Sequence, residues 1–322
     1  FSSKTIPILA VLRKNLLKNK NTRILYTDEL PECFDAEVLR DVYGYKFDLQ
    51  KVEKTEVISE FNGSTIFVSH QDEMNTIDLS PNIVFFIGIH SHLGSILLVN
   101  GEHNKPFTSS IQHVRRRETI AMTPSNSLDA LKLLIDKSAV HTIKSNVKED
   151  KISVLNSIKA ITGTPTKPLV ASSGLSIQYA IMMGLIHDAL QNHKGKAIKF
   201  IVPTNCYGGT NDQARRVAAC NKNVEVVDLL VDGEHDMVQS IDTILAEIAS
   251  QDAVPFIIAE IPTNPRVEVP DLQQLKTVLE KKRTTKEGMN AIDAVFILDQ
   301  TFCPNVLFLG KDEVLSTVRT IS

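Results

Sequence analysis

Apolar runs of strand length recur through the second half of the chain and alternate with segments of helical periodicity. Strands are predicted at 169–172, 197–203, 224–231, 254–260 and 294–299, and helices at about 176–191, 211–221, 236–250 and 271–283. Strands that are apolar throughout and alternate with amphipathic helices are typical of a mainly parallel sheet with helices on both faces. We therefore predict an α/β domain over 116–322, with its site outside the carboxyl ends of the strands.

The first part of the chain has shorter elements and no motif that carries chemistry. A helix is predicted near the start from apolar residues at helical spacing, followed by strands at 23–26, 65–69, 83–89 and 96–99 and a helix at 35–42. These elements predict an accessory α/β or α+β region over 1–115. A further helix, capped by Ser125 or Asn126, is predicted to run to about 137, and the polar stretch 138–150 is predicted to be an insertion or linker.

Charge and cysteine usage exclude several classes of protein. The 322 residues carry a net charge of −3, which argues against a nucleic-acid or membrane-surface role driven by charge. The four cysteines are widely spaced without a CxxC pair, and residues 1–20 lack a signal-peptide cleavage pattern. We expect a cytoplasmic protein in a reducing compartment.

A histidine pair and a basic run are better explained by structure than by metal or anion binding. His90 and His92 form an H-x-H pair after a buried strand, and side chains two apart on a strand share a face. No nearby carboxylate or third histidine completes a metal site, so we predict none. The basic run 115–117 is interpreted as a solvated face rather than an anion site.

The first of four candidate motifs is SSGLS at 172–176, where a predicted strand meets a predicted helix. Free N–H groups and the helix dipole bind anions at such a turn. Gly174 lets an anion approach the backbone closely. Since strand–Ser-Gly–helix turns are common, an ordinary turn is the alternative.

The second motif is CYGGT at 206–210, after the next strand. Two glycines give a tight turn, so that the ring of Tyr207 can project into a cleft and stack on a flat heteroaromatic ring. Its hydroxyl is also a candidate proton carrier. A core tyrosine beside a Gly-Gly turn is the alternative, and Cys206 has no Cys–His–acid pattern to support a nucleophile.

The other two motifs present an amide and a carboxylate at strand ends. In EIPTNP (260–265), Asn264 precedes a proline and can donate a hydrogen bond to a phenolate oxygen, although a Pro-rich turn explains the pattern as well. In LDQTF (298–302), Asp299 ends a buried strand, which is costly unless it is paired. A protonated heteroaromatic nitrogen is such a partner, with Thr301 hydrogen-bonding nearby; a metal-binding aspartate or a cap is the alternative.

The four motifs, in this order, resemble the Cys/Met-metabolism family of pyridoxal-phosphate (PLP) enzymes, of the aspartate-aminotransferase fold type. The resemblance covers roughly 165–322, and YGGT and PTNP are its most specific parts. It implies PLP as cofactor and a large domain of the PLP-transferase type. The cofactor-binding residues that it implies are Ser173, Gly174, Leu175, Tyr207, Glu260, Asn264, Asp299, Thr301 and Ser322, with Tyr207 also catalytic.

The chain departs from the family pattern at both ends and in the middle, and its first hundred-odd residues have no counterpart in the shorter family members. Counted from Thr301, the lysine that binds the cofactor's aldehyde falls just beyond Ser322, and Lys311 comes too early. We therefore expect the 322 residues to stop before that lysine and before the small C-terminal domain. The segment RETIAMTPSN at 117–126 also lacks the tyrosine and arginine that the family uses at a neighbouring subunit's phosphate.

The resemblance implies a lyase or γ-replacement transferase of sulfur amino-acid metabolism, of the cystathionine γ-synthase or lyase type. An amino-acid substrate and a homodimer or homotetramer are expected, with no nucleic-acid or membrane partner. A non-catalytic binding or scaffold protein derived from the family is the alternative. A nucleotide-binding Rossmann protein is disfavoured because no GxGxxG is present.

Overall fold

A computed structural model describes residues 1–53, 57–70, 72, 79–118, 122–135, 146–233, 235–264 and 266–322. The chain divides into two compact units. The first comprises 1–145 with 172–179, and the second comprises 146–171 with 180–322.

The first unit is built on a five-stranded sheet. Its strands are β1 (Thr22–Tyr26), β2 (Asp48–Lys51), β3 (Ser64–His70), β4 (Phe85–His90) and β5 (Gly94–Val99). Its helices are α1 (Ile6–Leu17), α2 (Ala36–Asp41), α3 (Pro106–Glu118) and α4 (Pro124–Ile135), with a short 3-10 helix at Glu102–Asn104. The strand order is β2-β1-β3-β4-β5, and every neighbouring pair is parallel except the β4–β5 hairpin.

The elements of the first unit that were predicted from the sequence are ones that contribute apolar residues to its core. Ile8 of α1, Ile24 of β1 and Phe85 of β4 are fully buried in one cluster. Five elements that supply this cluster have clear apolar patterns, and their prediction is confirmed: α1, β1, β3, β4 and β5. Strand β2 is polar and mostly exposed at the sheet edge, so its sequence carries no strand signal.

Two predictions around α3 and α4 need correction or completion. Helix α3 was not predicted, since its polar sequence masks the helical period. The cap of α4 is neither Ser125 nor Asn126, because the helix begins at Pro124, at least two residues earlier than either cap predicts. Thr123 precedes that proline, and its Oγ1 accepts a hydrogen bond from Asn126 N at 3.1 Å.

The second unit holds a second five-stranded sheet. Its strands are β6 (Ile198–Pro203), β7 (Val224–Leu229), β8 (Val254–Glu260), β9 (Val295–Asp299) and β10 (Thr320–Ile321). Its helices are α5 (Val147–Thr162), most of α6 (Gly174–Asn192), α7 (Gly208–Cys220), α8 (Met237–Ser250) and α9 (Leu272–Glu280). All neighbouring strands are parallel, in the order β10-β9-β8-β6-β7.

The strand order reverses direction between β6 and β8. From β6 the chain crosses to β7 on one side, then returns past β6 to β8 and continues outward to β9 and β10. Because crossovers in parallel sheets are right-handed, the helices after β6 and after β8 lie on opposite faces. Such a reversal opens a crevice at the carboxyl ends of the two central strands, where ligands bind in open α/β sheets.

The central strands β6, β8 and β9 of the second unit are buried on both faces. Ile257 and Phe296 pack with helices α8 and α9 in one cluster, whereas Phe200 and Phe256 contact each other with ring centroids 5.2 Å apart. The predicted α/β class, with mainly parallel sheets flanked by helices, is therefore confirmed. Among the described residues, no helix combines the length and apolar character needed to cross a membrane.

Two predictions near the start of this unit are wrong. Residues 169–172 form no strand: Leu169 is 77% and Val170 39% exposed, so no core covers the apolar side chains that suggested one. The predicted linker 138–150 overlaps helix α5, and 138–145 lies outside the described residues. None of the residues in α5 is buried, so burial-driven patterning could not reveal it. The helix ends at Gly163, which adopts a left-handed conformation with φ of 64°.

Candidate active site at the carboxyl ends of β6, β8 and β9

Tyr207 lies at the start of α7, just after β6. Its backbone N donates a hydrogen bond to Glu260 Oε1 at 2.7 Å, across the reversal between β6 and β8. Its carbonyl accepts from Thr210 N at 2.9 Å and so begins the helix. The backbone of Tyr207 is therefore held from both sides while its side chain stays 50% exposed. A half-exposed ring on a backbone that is held at the carboxyl edge of a sheet is suited to stacking on a flat ligand.

Glu260 is the last residue of β8 and is only 6% exposed. Its Oε2 is buried and accepts no hydrogen bond from any residue that the structure describes. Burial raises the pKa of this carboxyl, and the nearby charge of Asp299 raises it further; hydrogen bonds from the backbone N–H groups of Tyr207 and Asn264 act in the opposite direction. Glu260 thus joins the loop after β6 to the loop after β8.

Asp299 ends β9 directly beside Glu260, its register partner in the parallel β8–β9 pair. Its Oδ1 accepts from Thr301 N at 3.0 Å and from Thr301 Oγ1 at 2.6 Å. Within the described part of the chain, Oδ2 accepts no hydrogen bond. The carboxylate is therefore oriented through one oxygen, and the other is available to a ligand.

Asn264 lies in a tight turn after β8. Val267 N donates to Thr263 O at 2.8 Å, and Glu268 N donates to Thr263 Oγ1 at 3.0 Å, so that Val267 and Glu268 are held against Thr263. Asn264 is half-buried in this turn. The predicted hydrogen bond from its amide to a cofactor oxygen stays a prediction.

Ser322 follows the short edge strand β10. Its Oγ donates to Gln300 Oε1 at 2.6 Å, and Gln300 Nε2 donates to the carbonyl of Val306 at 3.2 Å. Gln300, which the sequence motifs did not single out, thereby links Ser322 to the loop after β9. Its place in LDQTF, between Asp299 and Thr301, was the available signal.

A second set of polar side chains at the same sheet edge was also missed. Asn205 Nδ2 donates to Asp232 Oδ1 at 2.8 Å, and Arg266 Nη1 lies 3.4 Å from the same oxygen. These residues follow β6, β7 and β8 respectively. Each of these residues follows a predicted strand, as Tyr207 and Asp299 do. None of them belongs to a recognisable motif, so the sequence did not indicate them.

The two thiols at this edge are poor nucleophiles. Burial, followed by the charge of Glu260, raises the pKa of Cys206 to about 12. Burial and then the charge of Asp299 also raise the pKa of Cys303, whose Sγ donates to Ile261 O at 2.9 Å. Both sulfurs are therefore protonated at neutral pH, and nucleophilic catalysis by Cys206 is disfavoured.

The predicted phosphate turn falls in the first unit. Ser173 caps α6: its Oγ accepts from Ser176 N at 3.2 Å, while Ser176 Oγ accepts from Ser173 N at 2.7 Å, a reciprocal capping box. A Cβ at the exposed Gly174 would meet no atom within 4 Å, so packing does not require glycine there. The predicted phosphate contacts of Ser173, Gly174 and Leu175 stay predictions.

His90 is buried at the end of β4, and its Nδ1 accepts backbone N–H groups of His92 and Leu93 at 3.1 and 3.2 Å. Nδ1 of His90 is therefore occupied by hydrogen bonds that stabilise the turn after β4. The described residues contain no group of three or more His, Cys, Asp or Glu side chains that could hold a metal ion.

The chain is similar to several solved structures at low identity. It matches mouse CSAD at 16% identity over 70% of this chain and 50% of that one (TM-score 0.37), and metB from Corynebacterium glutamicum at 20% over 46% and 31% (TM-score 0.29). A PLP-bound C-S lyase from Staphylococcus hominis matches at 19% over 55% and 40% (TM-score 0.29). The chain thus spans half or less of the length of each. No protein-family model and no curated protein matches it.

Proposed function

We propose that the second unit binds PLP and that the protein is a PLP-dependent enzyme. The observation that carries the proposal is the position of Tyr207, Glu260 and Asp299. They meet at the carboxyl ends of β6, β8 and β9, where the strand order reverses. An open parallel sheet binds its ligand at this point, and an aromatic ring beside an oriented carboxylate suits a protonated pyridine ring.

The residues present fit this cofactor. Asp299 presents Oδ2 without a hydrogen bond from the described residues, and a ring N–H is the partner that a carboxylate at a strand end needs. Among the described residues, Oε2 of Glu260 is likewise buried without a hydrogen-bond partner. When bound, PLP supplies a conjugated ring that draws electrons from the α-carbon of an amino acid.

The chain's own residues have distinct tasks under this proposal. Asp299 holds a proton on the ring nitrogen, and Thr301 fixes the orientation of the Asp299 carboxylate. Glu260 holds the backbone of Tyr207, so that the ring of Tyr207 can stack and its hydroxyl Oη can carry a proton. Asn264 donates its amide to the phenolic oxygen of the ring.

Within this class, we propose a lyase or γ-replacement transferase acting on a sulfur-containing or activated amino acid. The order SGL, YGGT, EIPTNP and LDQTF supports this finer assignment. A homodimer or homotetramer in the cytoplasm belongs to the same proposal.

The test is turnover by the protein expressed from its complete coding sequence and loaded with PLP. We expect 2-oxo acid release from cystathionine or methionine, or product formation from O-acetylhomoserine and a thiol. The Asp299→Asn variant should lower turnover by at least about a hundredfold, while Asp312→Asn, an exposed acid elsewhere in the unit, should not.

The outcomes separate the candidate functions. PLP binding without turnover of any of these substrates would favour a binding or scaffold protein. Turnover that persists in Asp299→Asn at the wild-type rate would contradict the proposed role of this carboxylate.

A further inference from the structure

The first unit contains a cavity of about 400 Å³ at the amino ends of β1 and β2. Its volume lies within the range of about 300–1,000 Å³ that is typical of small-molecule sites. The residues that line it are Leu16, Asn19, Lys20, Asn21, Thr22, Lys46, Phe47, Asp48 and Phe61. The cavity belongs to the first unit alone, and the proposed function above does not use it.

One wall of the cavity is fixed by the way in which α1 ends. Lys20 N donates to Asn15 O at 2.9 Å and Asn19 N donates to Leu16 O at 3.0 Å. Asn19 adopts a left-handed conformation with φ of 50°, which asparagine tolerates. This pair of bonds is a Schellman motif, and it sets the direction of the chain at Lys20. Lys20 is therefore anchored by its backbone, independently of its side chain.

The facing wall depends on a close backbone approach at Gly63. A Cβ at this position would lie 2.5 Å from Asn21 O, so only glycine fits. The approach allows Ser64 N to donate to Asn21 O at 2.9 Å and places Phe61 at the cavity. The guanidinium of Arg23 lies 4.8 Å from the centroid of the Phe61 ring and supports it.

The cavity carries excess positive charge. Two lysines, Lys20 and Lys46, line the cavity, and Asp48 is the only acid among its lining residues. The charge of Lys18 is close enough to Lys20 to lower its pKa. Neither Lys20 nor Lys46 forms an ion pair with any residue in the described ranges. The ammonium of Lys20 lies 5.5 Å from the centroid of the Phe107 ring.

Burial and the neighbouring Lys18 both disfavour the charged form of Lys20. Burial is the larger cause of the lowered pKa of Lys20, followed by the charge of Lys18. A bound anion would stabilise the charged form of Lys20.

We propose that this cavity binds a small organic phosphate with a flat apolar body. The phosphate head contacts the ammonium groups of Lys20 and Lys46 and the side-chain amide of Asn19, since several donors suit a head with several oxygens. The apolar body packs against Phe47 and Phe61.

The test is calorimetric titration of the 322-residue protein, without PLP, using phenyl phosphate as the probe. We expect saturable binding that is about tenfold weaker for inorganic phosphate, which lacks the apolar body. Lys20→Gln should weaken phenyl phosphate binding by about tenfold or more and Lys46→Gln by a smaller factor. Lys51→Gln is the matched control, because Lys51 is an exposed lysine at the opposite end of β2.

Three results would overturn the proposal. They are no saturable binding of phenyl phosphate, equal weakening by Lys20→Gln and Lys51→Gln, and binding unchanged by both Lys20→Gln and Lys46→Gln. Circular dichroism confirms folding of each variant, and the exposed Lys46 gives a usable variant if Lys20→Gln does not fold.

Discussion

At the scale of single residues, Glu260 connects the fold to the proposed chemistry. Its carboxyl is buried, holds the backbone N–H of Tyr207 through Oε1 and lies in register with Asp299. Burial, together with the charge of Asp299 on the neighbouring strand, disfavours the ionised form of Glu260. The raised pKa of Glu260 therefore makes stability depend on pH in a direction that can be tested.

The first prediction concerns this dependence. A carboxyl whose pKa is raised on folding contributes stability that is fully present below its unfolded value, ordinarily 4.5, and is lost as pH rises through the folded value. Glu260→Gln keeps an acceptor for Tyr207 N but does not ionise. Urea midpoints of the wild type should therefore fall, relative to those of Glu260→Gln, as pH rises from about 4.5 towards 7. Parallel profiles for the two proteins would contradict the shift.

The second prediction separates two roles of Tyr207. Tyr207→Phe keeps the ring and should leave PLP affinity nearly unchanged while lowering turnover by roughly a hundredfold or more. Tyr207→Ala should also weaken PLP binding by about tenfold, because the stacking surface is lost. PLP titration followed by absorbance measures affinity, and the 2-oxo acid assay measures turnover. Equal PLP affinities for the Phe and Ala variants would rule out stacking.

At the scale of elements, α8 gives a test of local stability beside the core of the second unit. Asp236 caps this helix, and its Oδ1 accepts from Gln239 N at 2.9 Å. Asp236→Ala should lower the free energy of unfolding by about 1 kcal/mol. Asp236→Asn should lose only a small part of this, because asparagine caps helices as well as aspartate does. Urea unfolding of the three proteins measures the difference, and equal losses in both variants would show that charge, not the cap, is responsible.

Elements with a buried apolar pattern were predicted well, and exposed ones were not. Strands β6, β8 and β9 were predicted because both of their faces are buried, which gives them continuous apolar sequences. Helix α5 buries no residue, and strand β2 pairs at an edge with polar side chains, so neither left a signal in the sequence. The run at 169–172 failed in the opposite way, since its apolar residues Leu169 and Val170 are exposed.

At the scale of the whole molecule, the sequence predicted which residues of the second unit stand at strand ends but not how those strands are ordered. The adjacency of β6 and β8 arises from crossovers over many residues, and no local pattern encodes it. That adjacency creates the Tyr207–Glu260 hydrogen bond. The Asn205–Asp232–Arg266 set was missed for the same reason, because its members come from three separate loops.

The most direct test of the central claim is equilibrium titration of the chain with PLP, followed by absorbance and by quenching of tyrosine fluorescence. We predict saturable binding that Asp299→Asn weakens by between about tenfold and a hundredfold, since a charge-assisted hydrogen bond is lost. Asp312→Asn, at an exposed residue with φ of 67° that asparagine can adopt, should bind PLP like the wild type. Binding that is absent in the wild type, or equally strong in wild type and Asp299→Asn, would contradict the assignment of this sheet edge as a PLP site.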